Sequence, residues 1–144
     1  MSLIKKQKPK SKSRKLSWWK EQAWKLFSKY VRLKHANEAG YAKCYTCEKF
    51  DHWKTLQCGH GIPGRNNAVL FDEEICRPQC MQCNIFKHGS HHIFVTKLQI
   101  ENGTEWWLKK LAGSNVAVKI GRNDCEQLIA RLKASVESLE KNGV

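Results

Sequence analysis

With 144 residues, 26 Lys and Arg against 13 Asp and Glu, and a formal net charge of +13, the chain has room for one domain with a modest core. That surplus asks for a polyanionic partner, and no apolar run approaches membrane-spanning length, so nucleic acid is favoured over lipid. Seven cysteines, an odd number, with no secretory pattern at the start favour reduced thiols and a cytoplasmic setting.

Residues 1–16 read as a basic arm, in which Lys5, Lys6, Lys8, Lys10, Lys12, Arg14 and Lys15 are spaced by Ser, Gln and Pro9 without a single acid. Such a segment cannot bury apolar surface and is expected to be disordered alone. Its functional reading is an arm that neutralises phosphates, each contact steepening the salt dependence of binding; the bland alternative is a solvated tail. A helix is expected in the segment 17–40, with Ser17 placed to cap it, an end near Glu38 and Gly40 closing it. Trp19, Ala23, Phe27 or Leu26, and Tyr30 recur at helical spacing, while Lys20, Lys25, Lys29, Arg32 and Lys34 fill the other face. Trp18, Trp19 and Trp24 suit base stacking, although core packing is the commoner use of such a stripe.

The segment 41–92 carries the chemistry. Cys44-Tyr45-Thr46-Cys47 and Cys80-Met81-Gln82-Cys83 are two C-x-x-C pairs with thirty-two residues between them. Each pair brings two thiolates to one ion, and four thiolates favour Zn²⁺ over harder cations, so Cys44, Cys47, Cys80 and Cys83 are read as a closed structural zinc site. Two disulfides are the alternative. Between the pairs, the stretch from Thr55 to His60 reads as a short strand ending in a histidine, and Gly61-Ile62-Pro63-Gly64 as a turn. The stretch from Asn84 to His88 reads as a helix stopped by Gly89, which puts Asn84 and His88 on one face four residues apart. Cys58 invites a Cys/His nucleophile reading, against which a strand position argues for a small buried hydrophobe. His60 taken alone is as well read as a satisfied core histidine.

The segment 93–144 is expected to be helical and part of the same domain. Ile93 to Ile100 forms one helix, stopped at Asn102-Gly103, and Thr104 caps another through Leu111. Val116, Val118 and Ile120 alternate as a short extended piece. Asn123 and Glu126 form a capping box for a last helix with Leu128, Leu132, Val136 and Leu139 along one stripe, which packs on the core or pairs with a second copy.

The strand-end histidine, the zinc cysteines and the asparagine directly after the last of them resemble the ββα-metal (HNH) nucleases. The pattern G-H-x-I-P-x-R from Gly59, followed by C-x-x-C-N-x-x-K-x-G from Cys80, resembles more closely still the phage NinG/Rap recombination endonucleases, over most of the chain. The resemblance implies an α+β fold: a small zinc-stabilised ββα core flanked by N-terminal and C-terminal helices. It implies a structure-selective endonuclease of phage recombination that hydrolyses phosphodiesters in branched DNA such as Holliday junctions, acting as a homodimer in the host cytoplasm. In that family pattern His60 is the general base and Asn84 a ligand of a catalytic Mg²⁺ or Mn²⁺. Arg65 and Lys87 are the candidate phosphate contacts. The sequence departs from the pattern in two places, the acidic ligand near the base histidine and the middle asparagine. Gly59 stands where most such sites carry an acidic or histidine ligand, and Gln57 stands where the closer relatives carry an aspartate; His88 and Gln57 are the candidates to replace it. Ile75 occupies the place of the middle asparagine. The rival reading is a non-catalytic zinc module that binds DNA through the basic arm.

Overall fold

The structure, a computed structural model, describes residues 13–142. The arm lysines Lys5, Lys6, Lys8, Lys10 and Lys12 lie outside the described residues. Helix α1 spans Leu16–Lys34 and buries Ala23, Phe27, Val31 and Leu33 along one face. It starts one residue before Ser17: Lys15 is the extended residue at its N-cap, and no side chain caps it. The Lys15 carbonyl instead accepts from the backbone N–H groups of Trp18 and Trp19. The helix also ends earlier than Glu38, because Asn37 turns the chain. Its Oδ1 accepts from the N–H groups of Ala39 and Tyr41, both at 3.0 Å, an arrangement that competes with helical bonding. Gly40 then adopts φ +85°, and a Cβ there would come within 2.8 Å of His52 Nε2.

Two antiparallel hairpins follow. Strands β1 (Tyr41–Lys43) and β2 (Phe50–His52) pair with Ala42 opposite Asp51. Strands β3 (Gln57–His60) and β4 (Cys76–Gln79) pair with His60 opposite Cys76 and Gln57 opposite Gln79. A bond from Tyr45 N–H to the Pro78 carbonyl, 2.8 Å, joins the first hairpin to the second. The chain leaves β4 in a five-residue π-helix, Gln82–Phe86, rather than the α-helix expected from Asn84 to His88. The Lys87 N–H reaches the Gln82 carbonyl at 2.9 Å, five residues back, and widens the turn. His88, Gly89 and Ser90 then take positive φ values of 51°, 86° and 46° in succession. His88 therefore lies beyond the helix and not on a shared helical face with Asn84.

Helix α2 spans His91–Asn102, α3 Thr104–Ser114 and α4 Arg122–Lys141. Gly103, at φ +93°, both stops α2 and precedes α3, so Thr104 is the first helical residue and not a cap. Residues 115–121 carry no regular structure; Val116 and Val118 are exposed and form no strand. The box at the start of α4 lies two residues earlier than expected: Gly121 N–H donates to Asp124 Oδ2 at 2.8 Å, while Asn123 is already helical. Leu132 and Val136 bury the α4 stripe against α1, and Lys29 pairs with Glu140 at 2.8 Å across the same contact. The core joins Phe27 and Val31 of α1 to Cys58, Ile62, Ile75, Phe94, Leu98, Trp107 and Leu132. The whole is a mixed α+β arrangement of four α-helices and a short π-helix with two small antiparallel sheets. No helix among the described residues is long and apolar enough to cross a membrane.

Candidate metal centre and adjoining cleft

The knuckle after β1 brings Cys44 and Cys47 to the end of β4, where Cys80 and Cys83 wait. Glu48, at φ +63°, closes the knuckle by donating its N–H to the Cys44 carbonyl. The four sulfurs lie within 4.8 Å of one another, and among the described residues they form the group of His, Cys, Asp or Glu that could hold an ion. Cys47 Sγ and Cys80 Sγ are 3.8 Å apart. A tetrahedron with zinc–sulfur bonds of about 2.3 Å has sulfur–sulfur edges of about 3.8 Å, so the thiols fit zinc. Like charges at that spacing oppose one another. Burial works against ionising Cys44, yet N–H groups of Cys47 and Cys80 and the Thr46 hydroxyl hold its thiol down to about 6. Burial and the neighbouring Cys83 and Cys44 push Cys80 up to about 12. A divalent cation relieves that opposition.

Beside this knot a cleft of about 480 Å³ opens between α1, β3 and the turn before α2. It gathers Gln57, Cys58 and His60 from β3, Arg65 from the loop, and Asn84, His88 and His91 from beyond the last cysteine. His60 ends its strand half-buried, with Nε2 3.1 Å from the Leu70 carbonyl oxygen. A carbonyl only accepts, so Nε2 carries the proton and Nδ1 keeps its lone pair. The Trp24 indole stacks on the imidazole with centroids 5.3 Å apart and planes 18° from parallel. Burial is the main reason the His60 pKa falls below its ordinary 6.5; the Leu70 carbonyl opposes that fall and the cationic Arg65 adds to it. His60 is thus neutral at pH 7.

Asn84 Nδ2 donates to Gln57 Oε1 at 2.7 Å, which fixes both amides and leaves Asn84 Oδ1 outside that bond. No Asp or Glu is among the residues lining the cleft. Gly59, directly before His60, carries no side chain at all. A Cβ at that position would collide with the Gln79 side chain, whose amide is fully buried and donates to Thr46 Oγ1 at 3.0 Å and to the Gly89 carbonyl at 2.9 Å. Gln79 ties the first knuckle to the turn before α2, and a side chain at position 59 requires the Gln79 amide to move from that place.

Arg65 is exposed at φ +50°, with its guanidinium 4.5 Å from the centre of the Trp24 ring. Lys87 is exposed just past the π-helix and does not line the cleft. Arg14 lies 5.0 Å over Trp18, and Lys15 is exposed at the start of α1. Arg32 and His91 are cleft residues to which the sequence assigns no site role, and Trp24, a candidate there for base stacking or core packing, lies against His60. Arg32 supports the wall by donating to the carbonyls of Ser28, Trp53 and Leu56. His91 follows His88 by three residues, and the run of histidines from 88 to 92 was the available clue. Cys58 is buried in the core cluster while touching the cleft.

The chain matches the family described as "NinG: Bacteriophage Lambda NinG protein" over residues 2–142. No curated protein and no solved structure matches it.

Proposed function

We propose that this chain, which belongs to the NinG family, is a structure-selective DNA endonuclease of the HNH kind that hydrolyses phosphodiesters in branched DNA in the host cytoplasm. The observation that carries this reading is the cleft beside the cysteine knot, which is lined by both a strand-end imidazole, bonded through Nε2 to the Leu70 carbonyl, and the Asn84 amide. Phosphodiester hydrolysis needs a base for water, neutralisation of the scissile phosphate and stabilisation of the leaving 3′ oxygen. His60 Nδ1 takes the proton from the attacking water, a role typically worth about 10²–10⁴-fold. The Leu70 carbonyl holds the ring in the required tautomer and Trp24 keeps water from its face. Arg65 contacts the phosphate, with Lys87 outside the cleft set to meet the flanking strand. Asn84 Oδ1 and His88 would hold a divalent Mg²⁺ or Mn²⁺, which supplies Lewis-acid stabilisation of the phosphate and the departing oxygen.

The net charge of +13 supports a polyanionic substrate. Cutting two strands of a four-way junction calls for two active sites, hence a homodimer. The second reading, a zinc module that binds DNA without cutting it, is favoured by the lack of any carboxylate among the cleft residues. Labelled four-way junctions incubated with and without Mg²⁺ or Mn²⁺, beside linear duplex, separate the two. Metal-dependent nicking confined to the junction supports the nuclease; tight binding with intact strands at every metal concentration supports the module.

A further inference from the structure

We propose that Phe86, with Ile85 before it and Met81 about one turn back, is an apolar wedge that enters an unstacked base step of DNA beside a branch point and so favours junctions over linear duplex. This rests on the reading of branched DNA as the substrate, and not on its being cut. Phe86 is 64% exposed, more than any other aromatic among the described residues, and Ile85 and Met81 are 50% and 51% exposed. Apolar side chains clustered in water mark a surface that a partner covers. Proteins that bend DNA insert Phe, Ile and Met between base steps, and bases that are already poorly paired cost least to separate.

The ridge stands at the lip of the cleft. Asn84 and His88 line the cleft, while Ile85, Phe86 and Lys87 between them are exposed. Phe86 is two residues from each, at most about 7 Å of chain, which is about two nucleotide rises along one strand. A phosphate held in the cleft therefore sets nearby bases within reach of the ring. The platform is also rigid. Asn84 N–H donates to the Cys80 carbonyl at 2.9 Å, Lys87 N–H to that of Gln82 at 2.9 Å, and Gly89 N–H to that of Cys83 at 2.8 Å. These bonds tie the π-helical turn, a rare conformation that recurs at functional sites, to the last two cysteines. Charge selects the partner. No Asp or Glu occurs between Glu74 and Glu101, and Lys87 directly follows Phe86. DNA offers such a ridge both base faces for the ring and a phosphate for the lysine.

The test uses a four-way junction with 2-aminopurine next to the branch point, whose emission rises when the base unstacks. The full-length, zinc-loaded protein is added without Mg²⁺ or Mn²⁺. The wild type should raise the emission. Phe86→Ala should lose most of that rise and bind the junction at least ~5-fold more weakly, with affinity for linear duplex, zinc content and melting unchanged. Phe86→Gln serves the same purpose should the alanine variant misfold. No rise with the wild type, or an equal rise with a folded variant, overturns the wedge. So does a variant that binds junction normally and instead changes its oligomeric state in sedimentation, which would make the ridge an interface between copies. The two proposals fail separately. If the wild type nicks junctions with Mg²⁺ and the emission ignores Phe86, only the wedge falls. If the emission follows Phe86 and no strand is cut at any metal concentration, the wedge stands and the nuclease reading falls.

Discussion

His60 is held by a backbone carbonyl on one side and an indole face on the other, and both contacts bear on its proton. Because burial lowers its pKa below 6.5, the ring stays an unprotonated base as pH falls through that value. Nicking should therefore hold level from pH 8 to below 6.5 and decline only under the lowered pKa. Trp24→Ala admits water to the ring and should move that inflection up toward 6.5, whereas Trp24→Phe should leave it nearer the wild-type position. Rate profiles of the three proteins check this; an inflection that ignores position 24 contradicts it. Gly59 gives a second prediction at this scale. Gly59→Asp supplies the acid that comparable sites carry, yet it must displace Gln79. Overpacking and an unpaired buried carboxylate should destabilise the chain by about 1–3 kcal/mol, with no gain in activity. Thermal or urea melts decide it, and the double variant with Gln79→Ala should recover part of the loss.

The cysteine knot is the element on which the cleft depends. Cys80→Ser removes one ligand of four, and the binding energy of such a site, on the order of 10 kcal/mol, is folding energy. The variant should lose zinc and its ordered hairpins together, as metal analysis and circular dichroism would report; a folded, zinc-free variant would count against a structural site. This element was legible in the sequence because its information is local: two C-x-x-C pairs state their own geometry. The turn after Cys83 was not. A π-helix and three successive left-handed residues have no pattern of side-chain spacing, so the helical pairing of Asn84 with His88 looked sound and was wrong in its backbone. The same limit hid His91, which reaches the cleft only once the turn is folded. Gly59 looked like a missing ligand for a similar reason, since its constraint comes from Gln79 on the neighbouring strand. Ser17, Thr104 and Asn123 have the residue types of caps, yet in each case the helix starts close by on backbone or other contacts. Boundaries drift by a residue or two because capping preferences are weak beside packing.

At the scale of the whole molecule, α4 packs along α1, and α1 in turn packs on the β3–β4 hairpin and forms one wall of the cleft. Leu132 is fully buried in that contact, and Leu132→Ala should destabilise the chain by about 2–5 kcal/mol without altering zinc content. The charge distribution belongs to this scale as well. Removing residues 1–15 takes away seven of the 26 Lys and Arg and no acid. Junction affinity should fall and the dependence of log K on log salt should flatten while the melting temperature holds. An affinity series from low to high salt checks it, and an unchanged slope would mean that the arm is a solvated tail. The most direct test of the account is single-turnover nicking of a labelled four-way junction by His60→Ala over a Mn²⁺ titration. A general base acts only in the transition state, so cutting should drop by at least ~10²-fold at every metal concentration while zinc content and junction affinity stay at wild-type values. Cutting by His60→Ala at the wild-type rate would contradict the account.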